Sequence, residues 1–417
     1  MTHNRWLQLV KGFIIVFCLG GVYSWSVFRK PLESELNCGA VDSGLPFILF
    51  LFFFSVLMPL TGRYIQKYNP KVITIIGGVL LGLGWVASGF VHTIALISLT
   101  YGVIAGSGVG ILYGIPVAIA AQWFPDRKGF AVGLTILGFG ISPLITAPLA
   151  RYFISNTGIF NTFIIFGLLF FCIVLLMAFT IRFPEQKLSN NSQIVTNSET
   201  ASVQSENRSP STRGGEVSIF KNSKFFGLWM CFFIGTFSGL KIIGMTSSFA
   251  QEIIQLTPEK ASFFVAFFSI FNGIGRPLFG WVTDKSNPRF SALVTYVIML
   301  VSSGLMLLSN SMGVFVLTFS LFWLTFGGWL AIAPSATATF FGEANFSKNY
   351  GYMFTAYGAG AIAGNLTSGL IRDLFGSYIY IFYPIIVLSI VGIILGIKFL
   401  SPPSPVETPQ RDVSTLK

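Results

Sequence analysis

The chain has 417 residues, is 53% hydrophobic and only 10% charged, and carries a formal net charge of +11. A soluble domain holds about 25% charged residues, so a water-soluble globule is excluded, and continuous apolar runs of about 20 residues exclude the alternation of a membrane β-barrel. The basic residues lie between the apolar runs, which argues against nucleic acid as their partner.

Read in chain order, the apolar runs predict twelve spans. The first six cover 7–28, 45–65, 72–91, 95–122, 129–154 and 159–181. The second six cover 225–251, 258–282, 290–309, 312–341, 350–371 and 377–399. The first run continues from Leu7 past Tyr23 with no small-residue cleavage site, so it reads as a helix rather than a signal peptide. The expected fold is an all-α membrane protein of two six-helix bundles, 1–182 and 225–400. Between them, 183–224 is rich in Ser, Asn, Thr, Glu and Gln and reads as a disordered linker, as does the polar tail 401–417. With the N-terminus in the cytoplasm, 19 of the 26 basic residues fall on the cytoplasmic side. The outer loops then hold Arg29, Lys30, Arg151, Lys260 and Arg372, so both termini are read as cytoplasmic. The cysteines Cys18, Cys38, Cys172 and Cys231 have no metal-ligand spacing and are expected as free thiols. No cofactor is expected, and a monomer is.

The two halves repeat. At an offset of 218 residues, Pro59, Gly62, Lys67, Asn69 and Pro70 meet Pro277, Gly280, Lys285, Asn287 and Pro288, and Gly110 and Pro116 meet Gly328 and Pro334. Six spans per half make these parallel repeats about an axis along the membrane normal. Within the repeat, Arg276 lies mid-span and falls opposite Met58. A charge at the bilayer centre costs roughly 2.5–3.5 kcal/mol on insertion scales. The first half builds the same helix with a thioether there, so the arginine is read as serving an anionic ligand. Asn272, one turn earlier on the same face, is placed to brace the guanidinium or reach the ligand. Lys241 also lies mid-span, with no acidic neighbour in its helix. It either faces the same cavity as a second cation or snorkels toward an interface. No Asp or Glu falls mid-span; Glu252 and Asp373 sit at outer ends. The absence of G-x-x-x-x-G-K-[ST] argues against ATP-driven transport, and no enzyme motif is present.

Two loops carry a signature. Gly280-Trp-Val-Thr-Asp284-Lys285-Ser-Asn-Pro-Arg289 has the form G-x-x-x-D-K…R, and Gly62-Arg-Tyr-Ile-Gln66-Lys67 repeats it with Gln in the acidic place. It resembles the cytoplasmic signature of the major facilitator superfamily. There the acidic residue caps a helix and pairs with bases to latch one conformation. Gly21-Val-Tyr23-Ser-Trp-Ser26, Gly108-Val-Gly-Ile-Leu-Tyr113-Gly114, Trp123-Phe-Pro-Asp-Arg-Lys-Gly129, Asn272-Gly-Ile-Gly-Arg276-Pro277 and Asn349-Tyr-Gly351 narrow the match. Together they resemble oxalate:formate antiporters and related bacterial monocarboxylate transporters. The resemblance implies a multi-pass protein of the bacterial cytoplasmic membrane, in contact with lipid. It also implies a central cavity lined by Tyr23, Tyr113, Asn272, Arg276, Phe326, Phe354 and Tyr357. Oxalate-specific members carry a second basic residue where Tyr357 stands. One fixed cation, phenolic donors and aromatic walls suit a small monocarboxylate such as formate, lactate or pyruvate, moved by anion exchange or with protons. Some eukaryotic monocarboxylate carriers have Asp where Asn272 stands, so a carboxylate proton relay is not supported. If Lys241 faces the cavity, an oxalate or other dicarboxylate antiporter is the alternative. A carrier for a drug or other small molecule is the reading from a different class.

Overall fold

Apolar runs of this length can bury their backbone polar groups in a membrane only by bonding them within helices. The computed structural model describes residues 2–64, 69–182, 222–342 and 346–401, and its long elements are all helices. In the first half, α1 runs through Thr2–Leu19, a tighter 3₁₀ turn Gly20–Ser24 and Trp25–Leu36. Then come α2 (Ala40–Tyr64), α3 (Pro70–Ser88) and α4 (Ile94–Trp123). The half closes with α5 (Lys128–Ile141 and Pro143–Thr157) and α6 (Ile159–Thr180). The second half holds α7 (Ser223–Glu252), α8 (Pro258–Lys285), α9 (Pro288–Leu308), α10 (Met312–Phe341), α11 (Phe346–Phe375) and α12 (Tyr378–Phe399). The segment 183–221 and the tail 402–417 lie outside the described residues.

The repeat is more regular than the sequence motifs alone indicated. The first residues of α8, α9, α10 and α11 (258, 288, 312, 346) each lie 218 positions after those of α2, α3, α4 and α5 (40, 70, 94, 128). The caps repeat as well. The Asn69 side chain accepts from Lys71 N–H and Asn287 from Phe290 N–H, each just before a proline at the first helical position. Thr93 and Ser311 likewise cap α4 and α10. Each cap satisfies a backbone donor that the first turn leaves unpaired.

Among the described residues eleven helices are long and apolar enough to cross a membrane. The exception is α11. At 30 residues it spans about 45 Å, but it carries Asn349, Asn365 and a run of glycines and hydroxyl side chains. Its polar positions have neighbours: α11 packs along α2 of the other half and along α7 of its own. The sequence-based count of twelve therefore holds by length, with one helix that relies on partners. The second contact between halves joins α8 to α5, and a third joins α7 to α1. Close approach needs missing side chains. A Cβ at Gly106 of α4 would come within 2.6 Å of the Phe50 carbonyl oxygen of α2.

The predicted first span stops too early. α1 continues past residue 28 to Leu36, and Asn37 in the left-handed region (φ 48°) ends it. Arg29 is therefore not a loop residue: it is 1% exposed inside the helix. The chain ends of α1 and α12 lie at one face of the molecule, here the terminal face. Leu36, Glu252 and Asp373 lie at the opposite, far face, which the charge bias assigns to the outside.

Candidate functional site

At mid-height the halves meet through aromatic rings. The 3₁₀ turn of α1 presents Tyr23, and Ser24 beside it holds α5 through a 2.6 Å bond between its hydroxyl and that of Thr146. Across the molecule α11 presents Tyr357, and the two phenol oxygens are 2.9 Å apart, one donating to the other. Tyr23 packs edge-on to Phe139 of α5 (4.9 Å) and to Phe326 of α10 (5.7 Å). Phe54 of α2 touches Tyr113, Phe139, Phe354 and Tyr357 at 5.2–5.8 Å between ring centres. Phe354 stacks on Tyr357 at 4.8 Å. These edge-to-face and stacked contacts place partly positive ring edges against partly negative faces.

Arg276 lies against this layer. Its side chain is on the α8 face toward α5, where one terminal N–H donates to the Ile136 carbonyl and the guanidinium carbon is 5.9 Å from the Phe139 ring centre. Tyr113 lies within electrostatic reach of the guanidinium. The residue is 2% exposed, yet its Nε and Nη2 have no partner, and neither do the amide oxygen and nitrogen of Asn272. Asn272 lodges against Gly140 of α5 and Gly327 of α10. Among the described residues no carboxylate pairs with Arg276. A permanently charged fork with free donors, an adjacent free amide and phenol hydroxyls can together bind a carboxylate. The site thus has donor capacity that the protein itself does not use.

The structure brings together Tyr23, Tyr113, Asn272, Arg276, Phe326, Phe354 and Tyr357, all expected from the sequence. Lys241 is not joined to this layer by a ring contact. It is fully buried, so it does not snorkel to water. Its ammonium has no hydrogen-bond partner and lies 4.4 Å from the centre of the Phe237 ring on its own helix.

Phe54, Phe139 and Arg29 were missed. The offset of 218 would have found the first two, because it sets Phe54 on Asn272 and Phe139 on Tyr357. Arg29 donates to the Ser43 hydroxyl (3.1 Å), to the Ala40 carbonyl and, across the halves, to the Gly244 carbonyl of α7 (3.3 Å). Around it the far face is tied shut. Lys30 pairs with Glu252, which also accepts from Arg372 at 2.5 Å. Asp373 accepts from the N–H groups of Ala40 and Val41 at 3.0 Å, and Arg151 pairs with Glu259 at 2.7 Å.

The signature loops differ from expectation. Asp284 is exposed, has no ion pair among the described residues and caps nothing; Asn287 caps α9 instead. Lys285 sits over Trp281 at 4.7 Å, Arg289 reaches the Ser401 hydroxyl at 3.5 Å, and Gly280 faces Ala331. The acidic residue is one turn too early in α8 to reach the first turn of α9, where Asn287 already sits. In the first-half loop, Gln66 and Lys67 lie outside the described residues, and Gly62 is described only as helical backbone.

Comparison with known proteins places this architecture. The sequence profile of the Major Facilitator Superfamily matches residues 12–340 and 243–415. The chain belongs to that superfamily. It is a multi-pass membrane transporter of the facilitator type, not an enzyme. Among curated relatives of this facilitator, the oxalate:formate antiporter of Oxalobacter formigenes is 29% identical over 90% of this chain and 87% of its own. Monocarboxylate transporter 1 of Bos taurus is 23% identical, over 94% and 84%. A bacterial homologue of the human lysosomal transporter Spinster, solved in an inward-facing and occupied conformation, superposes with a TM-score of 0.71 at 13% identity. That match covers 96% of both chains and speaks to the fold.

Proposed function

We propose that this facilitator is a secondary carrier of small organic anions, with monocarboxylates such as formate, lactate or pyruvate as its substrate class. The observation that carries the reading is the buried guanidinium of Arg276 with two unpartnered donor groups, Nε and Nη2, beside the free amide of Asn272. An unpaired charge in a low-dielectric setting is costly, and a substrate carboxylate removes that cost when it binds. The aromatic layer supplies walls for a small apolar tail and phenol donors for the second oxygen. Relatives named for oxalate, formate and monocarboxylate transport support the anion class.

The geometry supports alternating access as the mode of transport. The two parallel halves meet chiefly through α11 with α2, α8 with α5 and α7 with α1, and along the aromatic layer, and rocking about that layer exposes Arg276 to one face at a time. The far-face ties favour the conformation closed on that side. With no carboxylate beside Arg276 among the described residues, exchange of one anion for another needs no proton carrier, while proton-linked movement would draw on the substrate itself. The test is uptake into proteoliposomes of labelled formate, lactate, pyruvate, oxalate and succinate, with and without a pH gradient. Saturable, exchange-stimulated uptake of a monocarboxylate supports the reading. Transport of neutral or cationic solutes alone would overturn it.

A further inference from the structure

Lys241 is the buried charge that the Arg276 site leaves unexplained. Its ammonium is fully enclosed, makes no hydrogen bond and has no ion pair among the described residues; it lies over the Phe237 ring, 4.4 Å from the ring centre. A lysine kept in that state loses hydration and gains in return only the face of the Phe237 ring. A methionine would fill the same space at lower cost, so packing alone does not account for it.

Its place along α7 narrows the role. The offset of 218 sets Lys241 on Tyr23, whose hydroxyl bridges the halves. α7 packs across the halves against the very turn, Gly20–Ser24, that carries Tyr23. Two residues before Lys241, Gly239 leaves room for the Phe326 ring, which also touches Tyr23. This marks the level of the aromatic layer on α7. Three residues after Lys241, Gly244 accepts from Arg29. Further on, Ser247 and Gln251 line a pocket of 170 Å³ at the far face together with Lys30 and Arg151. Lys241 therefore lies between the aromatic layer and the far-face pocket, about three turns from the end of α7. Arg276 stands about two and a half turns from the terminal-face end of α8. The two buried cations flank the layer from opposite sides.

We propose that Lys241 is a second anion-binding residue, holding the substrate carboxylate on the far-face side of the Tyr23–Tyr357 pair, so that the anion passes between two cations as the carrier turns over. The assignment rests on the reading of Arg276 as the anion site. When the far-face ties open, the seam between α1 and α7 separates, and beyond the pocket and Arg29, whose donors are all taken, Lys241 is the first cation with free donors. Its charge attracts the anion there, and the tyrosine pair keeps the two cations from sharing it.

The test uses the full chain in proteoliposomes of protease-mapped orientation, with the carboxylate taken up fastest in the panel above as probe. Lys241→Met should raise the KM for uptake from the far face at least tenfold and leave the KM from the terminal face within threefold. Lys241→Arg should restore most of the far-face affinity. The Met variant should melt at or above the wild-type Tm, because it removes an unpaired buried charge. A structural role would instead lower Tm and impair both faces equally, which would overturn the proposal. Unchanged KM at both faces would overturn it too, as would intact exchange with only the pH-gradient stimulation lost. Arg276→Gln separates the two readings. If it abolishes uptake from both faces while Lys241→Met has no effect, only the second site fails. If Arg276→Gln transports normally, or no carboxylate is taken up, the anion reading fails and this proposal with it.

Discussion

Arg276 and Met58 occupy equivalent positions in the two halves, so the fold tolerates a neutral side chain at that level of the helix. Arg276→Gln is expected to reduce carboxylate uptake at least a hundredfold, about 2.7 kcal/mol of lost binding, with Tm unchanged or raised. Uptake and a melting curve on the same preparation check both parts. Arg276→Lys should recover little, since a point charge lacks the planar fork. The Tyr23–Tyr357 bond offers a second test at this scale. Tyr23→Phe and Tyr357→Phe each leave one buried hydroxyl without its partner, costing about 1–3 kcal/mol; the double variant should cost less than the sum. Thermal unfolding of the three variants measures the coupling. Much of this site was legible beforehand, because a charge in an apolar run is conspicuous and the quoted motifs carry Tyr23, Tyr113 and Asn272. Phe54 and Phe139 were not, since one phenylalanine among 45 has no distinguishing mark until the repeat pairs it with a polar residue. Arg29 was hidden by an error of helix length: the basic pair Arg29-Lys30 at the end of an apolar run reads as a loop, and only the cap at Asn37 reveals that the helix goes on.

Among the elements, helix number and order were readable because each span announces itself by length and hydropathy; Asn, Thr or Ser caps mark only some of the starts, such as those of α3, α4, α9 and α10. What could not be read is which helices touch, since apolar surface faces lipid and protein alike. α7 is 78% buried over its most apolar stretch and α12 only 33%, although both look apolar in sequence. Small residues decide the contacts. Gly275, next to Arg276, lies against the Leu324 carbonyl of α10, so an added methyl has backbone to displace. Gly275→Leu is expected to lower stability by about 1–3 kcal/mol and to reduce uptake by shifting Arg276 from the ring layer. Gly304, which has nothing within 4 Å of an added Cβ, is the control and should accept Leu with little change in Tm.

At the scale of the whole molecule, the far-face ties bias which side is open. Glu252 pairs with both Lys30 and Arg372, and one of those contacts crosses the halves. Glu252→Gln is expected to raise the population open on that face. Cys38 is a built-in reporter: it stands just past α1 beside this network and is partly exposed, whereas Cys18 and Cys231 are buried. Labelling of Cys38 by a membrane-impermeant maleimide should quicken severalfold in the variant, and reagent added from the terminal-face side should not reach it. Equal rates in the variant and the wild type would show that the ties do not hold the gate. The composition of α11 bears on how such a molecule is made. Among the described residues every other long helix is apolar enough to leave a translocation channel by partitioning into lipid. α11 carries less apolar surface and finds its neighbours in α7, made shortly before it, and in α2, made some three hundred residues earlier. Its stable residence in the bilayer thus depends on the first half already standing beside the channel when it emerges. A carrier half synthesised alone from residue 222 onward would leave α11 facing lipid with its hydroxyl and amide side chains. Ribosomal order, amino half first, becomes a condition of assembly, and quality-control proteases acquire a checkpoint: a lone second half is recognisable by one helix that has not settled.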